Sequence, residues 1–198
     1  MKENSELRNS AKNILSGNWG EAILVTFVYM LIIGALSSMQ NKNGFVSVLT
    51  LVIEGPLLLG VTIFFLKLSR EQDARFEDLF EGFKMFTKAV GTYLLMLLYI
   101  LLWSLLLIIP GIIAAMSYSM SFFILADNPD IRVQDALKLS KEMMNGYKMK
   151  YFLMQLGFFG LALLCILTLG IGFLWLLPFI QVTNAKFYDD IKDSRIVE

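Results

Sequence analysis

The chain has 198 residues, of which 57% are hydrophobic, 13% aromatic and 17% charged. Soluble domains carry about 25% charge and about 45–50% apolar residues, so the composition points to a membrane protein. Seventeen basic and seventeen acidic residues cancel, histidine is missing and Cys165 is the one cysteine; this argues against a nucleic-acid partner, a histidine base or metal ligand, and a disulfide within the chain.

Residues 1–18 are polar, with Leu7, Ala11, Ile14 and Leu15 at helical spacing. Asn4 or Ser5 is the expected cap, and Gly17 with Asn18 the expected stop. Trp19 stands where the first apolar run begins, a depth at which its amphipathic ring is favoured. The polar lead and small residues near Gly34 faintly resemble a signal peptide, but Glu3, Glu6 and the helical lead argue against cleavage. The first span covers roughly 21–38, with Glu21 in its first turn, where the helix dipole favours a carboxylate. A polar loop at 39–44 contains Lys42. A second apolar run, 45–66, is interrupted by Glu54, Gly55 and Pro56.

Residues 67–88 are charged. Within them Phe76, Leu79, Phe80, Phe83 and Phe86 fall on one α-helical face, opposite Glu77, Asp78, Glu81 and Lys84. That pattern fits an interfacial helix in the headgroup zone, or a helix packed on the underside of the protein. A run of 38 residues without charge, 89–126, follows. As one helix it would be about 57 Å long, against a hydrocarbon core of about 30 Å. Two spans turning at Pro110 and Gly111 resolve the conflict, because proline ends a helix and glycine tolerates a turn.

Residues 131–150 repeat the amphipathic lead. The last apolar run, 151–187, is again too long for one span and breaks near Gly170 and Gly172. The expected fold is therefore all-α and polytopic. It has six transmembrane helices in three hairpins, each preceded by a short amphipathic interfacial helix. They form one membrane domain, 1–198, of three units: 5–72, 73–130 and 131–190. In this arrangement sixteen of the seventeen basic residues lie on one side and only Lys42 lies on the other. The positive-inside rule then makes both termini cytoplasmic.

Candidate chemistry is sparse. Glu54 is the one carboxylate far from the charged segments. An ionisable group in a span suggests function, but alignment of Gly55 and Pro56 with the second unit's break would put it near the external turn. It then reads as a carboxylate reaching that surface, a packing contact, or an ion- or proton-linked group. Gln181 and Asn184, three apart, and Gln155 read as hydrogen-bonding glue between helices, or as part of a substrate path if they converge. Asp189 and Asp190 read as interfacial charge, and Cys165 as a packing residue. No HExxH, GxSxG, P-loop or Rossmann pattern occurs, so no catalytic residue, cofactor or metal is expected.

Gly17, Asn18 and Trp19, the stretch from Gly55 to Lys67, Phe76 to Lys84, Trp103 to Ile112, Tyr118 to Pro129 and Leu167 to Trp175 together resemble an uncharacterised family of bacterial integral membrane proteins, domain of unknown function 975. The resemblance implies a bacterial, largely Gram-positive-type inner-membrane protein and brings no activity to carry over. The expected function is a non-enzymatic module. It would bind lipid, a hydrophobic peptide, a membrane-protein partner or a second copy. The alternative is a small transporter or permease component using Glu54.

Overall fold

The computed structural model describes residues 2–40 and 44–196, and every regular element among them is helical. Lys42 and its neighbours 41 and 43 in the loop lie outside the described residues. Helix α1, Asn4–Ser16, starts at Glu3, whose backbone N–H donates to Glu6 Oε2 at 2.9 Å. The reciprocal Glu3–Glu6 cap, rather than Asn4 or Ser5, satisfies the free N–H groups of the first turn. Leu7, Ala11 and Leu15, spaced by four, are buried. Helix α2 runs Trp19–Gln40.

Helix α3, Gly44–Ser69, is 26 residues long and contains Pro56 in its interior. Gly55 and Pro56 are therefore no turn or hinge. Pro56 removes one intrahelical bond, the one to the Val52 carbonyl, and the helix continues because its surroundings hold it. It packs against α2, the segment after it, and helices α4 (Phe86–Leu106), α6 (Ser121–Asp127) and α9 (Phe173–Ile196). A Cβ on Gly55 would lie 2.8 Å from the Ala89 carbonyl oxygen, so this glycine serves close packing of α3 on α4.

Residues Phe76–Met85 form a 3-10 helix that runs back along α3. The two backbones touch at Gly60 and Gly82. A Cβ on Gly60 would fall 1.8 Å from the Leu79 oxygen, and one on Gly82 2.0 Å from the Pro56 oxygen. Three residues per turn replace 3.6 and divide the expected apolar face in two. Leu79 and Gly82 are buried and Phe76 packs partly against the same core, whereas Phe80, Phe83 and Phe86 are exposed. Leu79 is thus a core residue and not part of an interfacial face. Asp78, expected on the polar side, is buried. It accepts Lys67 Nζ at 2.7 Å and the Arg75 backbone N–H at 2.9 Å, pinning the 3-10 segment to the end of α3.

Helix α4, Phe86–Leu106, and helix α5, Ile108–Tyr118, are separated by Leu107, which is extended at φ −164°, ψ 154°. The break predicted at Pro110 and Gly111 lies three residues earlier. Pro110 falls in the first turn of α5, where N–H groups have no intrahelical partner and proline is tolerated. Helix α6, Ser121–Asp127, follows α5 after a second interruption. That interruption is covered by Ser140 of helix α7, Val133–Met143. Its buried Oγ donates to the Ser117 carbonyl at 2.8 Å and accepts the Met120 N–H at 3.1 Å. Helix α8, Lys148–Leu167, ends in the predicted turn, where Leu169 and Gly170 adopt φ of 54° and 86°. Helix α9, Phe173–Ile196, carries Pro178 and packs on α1, α2, α3 and α8.

Among the described residues, five helical stretches are long and apolar enough to cross a membrane: Trp19–Met39, Val46–Ser69, Phe76–Leu106, Ile108–Asp127 and Lys148–Leu167. The molecule is polarised along these helices. At one end, Phe64, Met120, Ile124, Met144, Phe187 and Tyr188 are buried in the core. At the other, Leu105, Ile108, Leu167 and Leu169 are 76–95% exposed.

Candidate functional site

The largest polar assembly sits at the packed end. Arg70, just beyond α3, sends a forked pair of hydrogen bonds to Asp127 at the end of α6: Nη1 to Oδ1 at 2.7 Å and Nη2 to Oδ2 at 2.9 Å. The same guanidinium bonds Asp189 of α9 through Nη2 at 2.7 Å and Nε at 3.2 Å. Asp127 Oδ2 also accepts Lys192 Nζ at 2.6 Å and the Tyr188 hydroxyl at 3.0 Å. A planar guanidinium suits this double role, because its donors match two carboxylates at once. The Asp127 bond, partly offset by burial, raises the pKa of Arg70, a permanent cation. Burial first, and then the Asp127 charge, raise the Tyr188 hydroxyl. Asp190, next along α9, accepts the Lys2 backbone N–H at 3.0 Å and lies 3.8 Å from Lys150 Nζ. Asp189 and Asp190 are therefore partners to three other parts of the chain and not lone surface charge.

Sequence reasoning missed this cluster. Its members are 57 and 119 residues apart in the pairs Arg70–Asp127 and Arg70–Asp189. The available signal was that all of them terminate apolar runs on one predicted side. What the cluster does chemically is tie the ends of α3, α6 and α9 together. Its charges neutralise one another.

Glu54 is half-buried near the middle of α3. Tyr93 of α4 and Tyr29 of α2 both lie close enough to feel its charge. The continuous α3 takes Glu54 away from the turn that the sequence suggested. Gln155 of α8 and Asn184 of α9 do meet, with Gln155 Nε2 donating to Asn184 Oδ1 at 2.8 Å. Gln181 stays half-buried one turn away and does not join that bond. Glu54 and the Gln155–Asn184 pair sit on different helix contacts and form no common site. Among the described residues no three side chains of metal-ligating type come together.

A third feature is apolar. A groove of about 430 Å³ opens between α1, the start of α2 and the α8–α9 pair, lined by Trp19, Leu161, Leu164, Trp175 and Phe179 with Lys12 at its edge. Cys165 is in its wall.

The family model described as protein of unknown function (DUF975) matches residues 1–113 and 105–195. The chain belongs to this family. No curated protein and no solved structure matches the chain of this DUF975 member.

Proposed function

We propose that this DUF975 protein is a non-enzymatic module of a bacterial cytoplasmic membrane that binds an apolar partner from within the bilayer. The partner is lipid, a hydrophobic peptide, another membrane protein or a second copy. The observation that carries the reading is the polarised packing: aliphatic side chains at one end are largely exposed, while Arg70, Asp127, Asp189 and Lys192 at the other are paired among themselves. Apolar side chains exposed at that density need lipid or a ligand around them. Polar groups that meet here neutralise each other or bridge helices, which is structural use and not the layout of a nucleophile and base.

In this reading six helices cross the membrane as three hairpins, each after a lead segment: α1, the 3-10 helix and α7. The sixth crossing is the start of α9. Its uncharged part, 173–185, is about 20 Å long, shorter than the hydrocarbon core. A span shorter than the core is accommodated by local thinning of the bilayer and by flanking charged side chains reaching to the interface. Basic residues then gather on the side of both termini, the cytoplasm. The test is purification of the full chain in native lipid followed by mass spectrometry. A stoichiometric lipid, peptide or membrane protein supports the module. Isolation as a bare monomer that does not co-float with vesicles counts against it.

Glu54 favours a second reading, a small transporter. Its carboxylate lies at mid-helix with Tyr93 and Tyr29 beside it, and ionisable groups at such depth mark ion or proton paths. Vesicles containing Glu54→Gln should then lose a proton or cation flux that the parent protein shows; equal flux in both removes this reading.

A further inference from the structure

We propose that the groove between α1 and the α8–α9 pair seats one anionic phospholipid, its phosphate held by Arg8 and Lys12 and an acyl chain lying in the groove. This rests on the membrane-module reading above.

Arg8 and Lys12 are one turn apart on the same side of α1. Arg8 reaches across to α8, where Nη2 donates to the Met154 carbonyl at 3.2 Å. Its guanidinium carbon stands 5.2 Å from the centroid of the Phe158 ring. Gly157 makes room, since a Cβ there would lie 2.2 Å from Nη2. Phe158 in turn packs edge-on against Phe179, a wall of the groove, with ring centroids 5.5 Å apart. The cation thus sits one ring away from the groove, and Lys12 sits at its edge.

Neither cation has a carboxylate partner among the described residues, and Arg8 Nε is buried without any hydrogen-bond acceptor. Two other half-buried cations, Lys67 and Arg70, are by contrast paired with carboxylates. A half-buried guanidinium with one donor buried and unpaired and no counter-charge carries a cost, and an anion beside its exposed face would offset the unpaired charge.

The ligand must then carry a negative group and an apolar body on one molecule. A free phosphate would leave the groove empty. A peptide would bring backbone groups that need partners, and the Thr168 hydroxyl in the wall is already used: it donates to the Cys165 carbonyl and accepts the Gly172 N–H. A phospholipid with net negative charge meets both demands, and its headgroup depth is where α1 lies in the proposed topology.

The experiment uses the full chain in mild detergent, offered phosphatidylglycerol or phosphatidylcholine, with bound lipid counted by native mass spectrometry. The parent protein should retain one phosphatidylglycerol in preference to phosphatidylcholine. Each cation removed should weaken that retention about fivefold, so Arg8→Gln with Lys12→Gln should lower it about 25-fold. Lys12 is exposed, so Lys12→Gln alone keeps the fold and should show the single step. Equal retention of the two lipids by the parent, or unchanged preference in Lys12→Gln or in a folded double variant, overturns the proposal. Co-flotation of the same proteins with phosphatidylcholine vesicles separates the two readings. A chain that co-floats without preferring the anionic lipid sinks this site and leaves the module. A chain that does not co-float sinks the module.

Discussion

Asp127→Asn tests whether the charge cluster holds the packed end together. The carboxylate accepts four hydrogen bonds, two from Arg70 and one each from Lys192 and Tyr188, at 2.6–3.0 Å. The amide keeps the shape but loses the charge, and its NH2 group faces donors. Breaking a fully buried pair costs about 3–5 kcal/mol. Here Arg70 keeps Asp189 at 2.7 Å, and the Lys192 side chain is 41% exposed and can turn to water. The expected loss is therefore lower, about 2–3 kcal/mol. For a chain of this length that is a fall in Tm of about 5–10 °C, read by thermal unfolding of the purified protein in detergent. Asp135→Asn removes a surface pair with Arg132, whose side chains are 85% and 45% exposed, and should leave Tm unchanged. An Asp127→Asn protein melting with the parent would refute the idea that this cluster locks α3, α6 and α9.

Gly82→Ala puts a Cβ 2.0 Å from the Pro56 oxygen, a backbone atom that cannot move aside; the 3-10 segment should lift from α3, with a loss of about 1–3 kcal/mol in thermal unfolding. Ser140→Ala leaves the buried Met120 N–H without its partner and should cost about 1–3 kcal/mol by the same assay. Leu79→Ala should cost about 2–5 kcal/mol, whereas Phe80, Phe83 and Phe86 changed together to serine should spare Tm and weaken vesicle association; the opposite pattern would restore the single apolar face expected from an α-helical period.

The helical class and the need for a break inside 89–126 follow from counting, because bilayer thickness limits any one span. Where the breaks fall did not follow. Pro110 marks the first turn of a helix and Pro56 is carried inside one; proline forbids one hydrogen bond, and whether a helix stops there is decided by tertiary contacts. Misplacing that second break also misplaced Glu54. A period of 3.6 at 76–85 gives a single apolar face, whereas the segment folds with a period of three, its backbone against that of α3 at Gly60 and Gly82. Of the candidate residues, Asn184 has the partner its helical position suggested, in Gln155. Arg70, Asp127 and Asp189 escaped because sequence distance hides which ends meet.

In the proposed topology α9 crosses the membrane as a sixth span. Reporter fusions after Gly170 and after Asp193 test it most directly, since only α9 separates them. The expected result is an external reporter after Gly170 and a cytoplasmic one after Asp193. Both reporters on the same side would contradict it.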